Sequence, residues 1–228
     1  MSDAIRHAAT VILVRDAGTR PRILMGQRGA AAAFMPSKFV FPGGAVDPGD
    51  ARIPLASPLP GRCAALLDDA APGGHTLAVT AIRELWEETG LILGRHSPWP
   101  DPPADWTGFA ATGHLASAEA LSFVFRAITP PGRSRRFDAR FFVADAARLA
   151  SDPDDFSRAS DELSLLQWIP LDEVRTFDLP FITEVVLAEI AARLPDLDPP
   201  AEVPFFRNDD EESLFLRLGR SPLSRAAR

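Results

Sequence analysis

Cysteine occurs once in the 228 residues, at Cys63, and tyrosine does not occur. One cysteine cannot close an internal disulfide, which excludes a disulfide-stapled scaffold and makes the cytoplasm the expected location. Long apolar runs are also missing. The early run from Ala8 to Val14 lacks the shape of a signal peptide, and no run approaches the length of a transmembrane helix, so no membrane partner is expected. Positive charge is in deficit. With 24 Lys and Arg against 31 Asp and Glu, the net charge is -7, which excludes a broad nucleic-acid-binding field. A compact anionic substrate held by local arginines or metal ions stays open, as does a homodimer. Neither an internal repeat nor a low-complexity block stands out.

What is present suits a sizeable core: 46% of residues are hydrophobic and 24% charged. The length fits one domain with elaborations. "ATVILVRD" and "PRILMGQR", separated by "AGTR", read as a strand pair, and "KFVFPGG" as a strand stopped by Pro42 and two glycines. Residues 51–75 begin and end with Pro/Gly punctuation and have room for a short helix near Cys63 to Asp69. "TLAVTAIRELWEET" has helical spacing, with Leu77, Ala78, Ala81, Ile82 and Leu85 as its apolar stripe and Gly90 placed for a C-terminal cap. "HSPWPDPPADW" reads as loop. "ALSFVFRAIT" and "RFDARFFVAD" are strands about the turn "PPGRS", "LSLLQWIPL" is another strand, and "PFITEVVLAEIAARL" is an amphipathic helix. Strands mixed with two main helices predict an α+β fold, a sheet between helices, over residues 1–195. Beyond Pro195 the chain is proline-rich and then acidic, so 196–228 is expected to be a tail that wraps the domain or stays mobile.

"RELWEETGL", residues 83–91, breaks two local rules. Glu84, Glu87 and Glu88 stand at i, i+3 and i+4, so three like charges share one helix face near a C-terminus, where the dipole also opposes them. A solvated acidic face would tolerate that. A second reading gives the clash a purpose: three carboxylates on one face, behind a Gly-Gly turn, form a cage for a hard divalent cation such as Mg²⁺ or Mn²⁺.

The same stretch matches R-E-U-x-E-E-x-G-U, with U aliphatic, at all seven specified positions, and "FPGG" at Phe41 to Gly44 matches the strand and loop that precede it. This resembles the signature of the Nudix hydrolases over roughly Ala8 to Leu194. The chain departs from the usual G-x5-E-x7-R-E in two ways. Asp50 stands where glutamate is usual, and residues 51–75 form an insertion inside the signature. "AFMPSKFVFPGGAVDPGD" and "RAITPPGRSRRFDARFF" resemble a branch with such an insertion, which includes peroxisomal enzymes that split coenzyme A.

The resemblance implies a Nudix fold and metal-dependent hydrolysis of the diphosphate bond in a nucleoside diphosphate linked to another moiety. Coenzyme A or acyl-CoA is favoured, with NADH, ADP-ribose and nucleoside triphosphates as alternatives. A non-catalytic nucleotide-sensing domain is the alternative from another class. The absence of tyrosine weighs against branches that stack a nucleobase on a tyrosine after the signature. By the same resemblance Glu84, Glu87 and Glu88 would ligate the metal together with the Gly43 carbonyl, and Arg83 would hold the glutamates by a charge-assisted pair. Glu162, six residues before Trp168, would act as general base or extra ligand on an acidic loop able to close, with Asp161 as its rival. Arg28 precedes "FPGG" at the distance used by a known coenzyme A signature, whose later arginine and glycine are Ala33 and Ser37 here.

"RRFDARFF" alternates, so Arg136, Asp138 and Arg140 share one face and Phe137, Ala139 and Phe141 the other. Those arginines either grip phosphate, including a 3′-phosphate, or face solvent. Trp86 and Phe34 are expected as core or wall. His75, His96 and His114 show no metal spacing, and Cys63 is expected to be buried. Residues 51–75 are expected to pack on the rim of the site and shape substrate access.

Overall fold

The structure, a computed structural model, describes residues 4–32, 34–67, 71–208 and 212–219. The chain opens with β1 (Arg6–Arg15) and β2 (Arg22–Arg28), followed by the short β3 (Phe39–Val40) and β4 (Gly43–Ala45). Two helices come next, α1 (Gly61–Leu67) and α2 (Gly74–Thr89). After β5 (Gly94–His96), α3 (Thr107–Ala110) and β6 (His114–Ala116) come the long strands β7 (Ser122–Ile128), β8 (Phe137–Asp145) and β9 (Leu163–Pro170). Finally there are α4 (Phe181–Arg193), β10 (Val203–Asn208) and β11 (Ser213–Leu218).

Nine of these strands form a mixed sheet among the described residues, in the order β11-β10-β7-β8-β1-β2-β3, with β4 paired to β1 and β9 to β2. The β1–β8 and β7–β10 pairs are parallel and the other pairs antiparallel. Alternation along β1 sends Ala9, Val11 and Leu13 to one face, where they meet Leu77, Ala81, Ile82 and Leu85 of α2. Ile12 and Val14 point to the opposite face and pack with Val186, Leu187 and Ile190, the buried stripe of α4. The result is an α/β/α sandwich of the α+β class. Helix α2 ends where Gly90 turns left-handed (φ 74°) and its N–H returns to the Trp86 carbonyl at 2.8 Å. A side chain there would also collide with Arg158, so the glycine is needed twice over.

Two sequence expectations change here. Residues 196–228 do not form a separate tail in their described part: β10 and β11 extend the sheet beyond β7. The described residues of 51–75 do not border the cleft described below. Ile53, Leu59, Cys63 and Leu67 are buried in the core on the α2 side, and the Ala56 N–H donates to the Ala116 carbonyl at 2.8 Å. The segment has its own apolar residues to bury, and the open side of α2 is where they find cover. Among the described residues, no helix is long and apolar enough to cross a membrane.

Candidate active site

Arg83, near the C-terminal end of α2, is the hub of the acidic helix face. Its Nη1 donates to Glu84 Oε1 at 2.9 Å and to Glu87 Oε2 at 3.0 Å, one turn further on. Its Nε and Nη2 reach Asp50 Oδ1 at 2.9 Å and Oδ2 at 3.2 Å, and Nη2 also donates to the Ala45 carbonyl at 3.0 Å. Burial opposes its charge. The bonds to Asp50 and the two glutamates outweigh that and push the Arg83 pKa above its ordinary value. Asp50 is itself buried and also accepts from Thr80 Oγ1 at 2.7 Å and from the Asp47 N–H at 2.9 Å. With its oxygens so engaged, the aspartate that replaces the usual glutamate serves to hold Arg83.

Glu88 lies on the same helix face, 1% exposed, and its Oε2 accepts from the Gly43 N–H at 2.7 Å. Strand β4 supplies that donor for a geometric reason. The Val11 N–H to Pro42 carbonyl and Val46 N–H to His7 carbonyl bonds set an alternating ladder. Gly43, opposite Thr10, falls on the non-bonded rung, so both its N–H and its C=O point away from β1. A Cβ on Gly43 would lie 2.5 Å from Thr10 Oγ1, and one on Gly44 would lie 2.3 Å from Glu84 Oε1. The glycine pair thus lets the strand pass directly under the carboxylates.

Burial raises the pKa of Glu84 to about 7 against the pull of Arg83, with Glu87 adding to the rise. Glu88 is pushed well above the ordinary carboxylate range, by burial first and by Glu84 next, and burial also raises Glu87. Among the described residues no three Asp, Glu, His or Cys side chains form a ready-made metal cage. The donor set nonetheless fits a hard cation. Arg83 takes Oε1 of Glu84 and Gly43 takes Oε2 of Glu88, which leaves the other oxygen of each for a further partner in a crowded, electron-rich place.

These groups adjoin a cleft of about 760 Å³. Glu84, Glu88, Gly43, Gly44 and Glu162 line it, and so does Arg28. The buried Nε of Arg28 has no hydrogen-bond partner among the described residues, and Arg28 lies near enough to Glu88 to lower its pKa somewhat. The structure therefore brings Glu84, Glu88, Gly43, Arg28 and Glu162 to one cleft, with Arg83 and Glu87 directly behind; Asp161 does not line it. The Glu162 loop is anchored. The Ser160 N–H donates to the Glu87 carbonyl at 2.9 Å, and Trp168 Nε1 donates to the Pro153 carbonyl at 3.1 Å.

Arg136 and Arg140 are a correction. Both are buried on the sheet face turned away from the cleft, so neither the phosphate-grip nor the solvent-face expectation holds. Arg140 Nη1 lies 3.0 Å from Asp138 Oδ2, and Asp138 also accepts from Arg126. Burial lowers the Arg140 pKa to about 10, although Asp138 opposes this. Arg136 donates to the backbone carbonyls of Thr129 and Asn208. Phe137, Ala139 and Phe141 face the cleft instead.

Phe34 is a cleft wall, edge-on to Phe137 at 5.2 Å, and Trp86 packs at the edge of the core against Phe109. Cys63 is buried, and burial raises its pKa. Ala33 lies outside the described residues. Ser37 has φ 61°, the left-handed region, where the coenzyme A signature has glycine. Sequence reasoning missed Arg6, Arg133 and Arg135, which also line the cleft. The alternation Arg6, Ala8, Thr10 along β1 was the signal for the first of them.

An acidic helix behind a glycine turn, set in an α/β/α sandwich, is the arrangement of the Nudix fold. Residues 5–190 match the NUDIX domain, and the chain belongs to the Nudix hydrolase family. It is 30% identical over 177 residues to nudix hydrolase 7 of Caenorhabditis elegans, a match covering 72% of this chain and 51% of that protein. The chain thus spans about half the length of that curated relative. A crystal structure of a NUDIX hydrolase from Alicyclobacillus acidocaldarius superposes with a TM-score of 0.61 at 28% identity, covering 84% of this chain and 93% of that one. The MutT protein from Methanosarcina mazei Go1, at 13% identity and a TM-score of 0.50 over 84% of this chain and 96% of its own, shares the fold.

Proposed function

We propose that this protein is a Mg²⁺- or Mn²⁺-dependent hydrolase that cleaves the diphosphate bond of a nucleoside diphosphate linked to another moiety, with coenzyme A or acyl-CoA favoured. One observation carries the reading: Glu84, Glu88 and Glu162 share a cleft with Arg28, whose buried Nε lacks an acceptor among the described residues. Such a donor is set for an acceptor on a ligand, and phosphate oxygens match the guanidinium fork.

The groups suited to hold the cation are Glu84, Glu87, Glu88 and the Gly43 carbonyl. Bound there, it would neutralise the diphosphate and activate water for attack on phosphorus. Arg83 keeps Glu84 and Glu87 aligned through Nη1, and Asp50 keeps Arg83 in place. Arg28 orients the diphosphate. Glu162, on its anchored loop, accepts the proton of the attacking water.

Coenzyme A is favoured by the extent of the cleft. It runs past the carboxylates along an apolar wall of Phe34, Phe137, Phe141, Phe181 and Phe206. A nucleotide with a long, partly apolar arm fills that space better than a nucleoside triphosphate does. The test is a Mg²⁺ panel assay on coenzyme A, acyl-CoA, NADH, ADP-ribose and nucleoside triphosphates, reading phosphate-containing products. The highest kcat/KM is expected for coenzyme A or acyl-CoA. A preference for another member reassigns the substrate, and binding without turnover of any points to a nucleotide-sensing domain.

A further inference from the structure

The cleft that holds the carboxylates is also lined by cations. Arg6, on β1, lines it together with Arg133 and Arg135 from the β7–β8 turn. All three are exposed, and none makes an ion pair among the described residues. Lys38, another cleft cation, is neutralised by Asp178. Strand geometry sets the separation. Gly43, which touches Glu88, is opposite Thr10, and Arg6 lies four residues earlier on the same face of β1, roughly 13 Å away at about 3.3 Å per residue. That is longer than a diphosphate and within the reach of a nucleoside conjugate.

The turn that carries two of these arginines is braced. Arg136, 7% exposed, donates from Nε to the Thr129 carbonyl at 3.1 Å and from Nη2 to the Asn208 carbonyl at 3.2 Å. Asn208 Nδ2 donates back to the Ile128 carbonyl at 2.7 Å, and the Arg6 N–H donates to the Arg136 carbonyl at 3.0 Å. Buried groups therefore fix both ends of the turn and tie it to β1 and β10. Three cations that line one cleft with no ion-pair partner among the described residues offer a site for an anion.

We infer that Arg6, Arg133 and Arg135 form a second anion subsite, which takes a phosphate monoester carried on the nucleoside part of the ligand, separate from the diphosphate. The inference rests on the nucleotide-conjugate reading above and assigns residues to a group that coenzyme A carries and NADH and ADP-ribose lack. Arg28 and the glutamates handle the diphosphate, and the β7–β8 turn reads the distal phosphate.

Calorimetric titration with adenosine 3′,5′-bisphosphate and with adenosine 5′-monophosphate tests this without any turnover. The unmodified protein is expected to bind the bisphosphate at least about tenfold more tightly, a typical gain for charge-assisted hydrogen bonds. In the double variant R133A/R135A, with a thermal melt matching the parent, the two ligands are expected to bind almost equally. Four results overturn the subsite: no discrimination by the unmodified protein, discrimination that survives in the variant, an equal loss for both ligands, or no binding of either. Failure of the hydrolase reading shows separately, as absent Mg²⁺-dependent turnover in a protein that still discriminates the two ligands.

Discussion

Asp50 and Arg83 meet through two parallel hydrogen bonds, Nε to Oδ1 at 2.9 Å and Nη2 to Oδ2 at 3.2 Å. The contact joins the start of the segment after β4 to α2, and both partners are largely buried. Removing the carboxylate takes the two-pronged acceptor from Arg83, which keeps Glu84, Glu87 and the Ala45 carbonyl, and one of two acceptors from Thr80, which keeps the Thr76 carbonyl. Asp50→Ala is therefore expected to cost about 1–3 kcal/mol, the range for losing a hydrogen bond to a charged group in a buried place. Urea denaturation of the two proteins measures it, and a loss below about 1 kcal/mol would mean that the glutamates alone secure Arg83.

The raised pKa values of Glu84 and Glu88 make a signed prediction for the metal-free protein. A carboxyl whose folded-state pKa lies above its unfolded value holds its proton longer when folded. Stability therefore falls as pH rises from about 4.5, the ordinary value, through about 7, the Glu84 value. In EDTA the Tm is expected to be higher at pH 5.5 than at pH 8. Adding Mg²⁺ should raise the Tm more at pH 8, where the carboxylates are ionised and unneutralised. A larger Mg²⁺ effect at pH 5.5 would contradict a carboxylate site.

Gly43 and Gly44 should fail in different ways. An alanine Cβ at 43 would lie 2.7 Å from the Ala9 carbonyl oxygen and from Thr10 Cα, backbone that cannot give without moving the sheet. At 44 its three nearest atoms would all belong to the Glu84 carboxylate, the far end of a side chain. Gly43→Ala should thus lower the Tm, whereas Gly44→Ala should keep the Tm and lose turnover because Glu84 is displaced. Equal melting losses would show that the Glu84 carboxylate has no room to swing.

How much of this was legible follows from sequence distance. The glutamate face needed only one helix and its period, and "FPGG" lay on the strand before it. Alternation also grouped Arg136, Asp138 and Arg140 correctly. It could not say which face of the sheet bounds the cleft, because a period of two carries no information about what covers each side. Strand β10 was hidden by Pro204, a residue that argues against a strand, and by a parallel pairing with β7 that joins distant parts of the chain. The cations of the cleft come from β1, the end of β2, the residue before β3 and the β7–β8 turn, so only the fold assembles them.

Residues 51–75 bear on stability rather than access. Leu59 is 7% exposed, packed in the core on the α2 side beside Gly74, and absent from the cleft. Leu59→Ala is expected to cost about 2–5 kcal/mol by denaturation, the range for a large-to-small core change. The ranking of substrates in the panel assay should not move. A changed ranking with stability intact would return the segment to an access role.

Glu162 gives the sharpest functional test. It lines the cleft with Glu84 and Glu88, while Asp161 beside it does not. Carboxylates committed to a cation are weak proton acceptors, so a separate group is needed to take the proton of the attacking water. Glu162→Gln keeps the size of the side chain and removes its basicity. At saturating substrate, kcat is expected to fall by about 10²–10⁴-fold with little change in KM. Asp161→Asn should leave both parameters close to the parent. If the two effects are reversed, Asp161 is the base. If neither variant matters, the proton goes to α2 itself, and Glu87, the least buried of its three glutamates, becomes the acceptor.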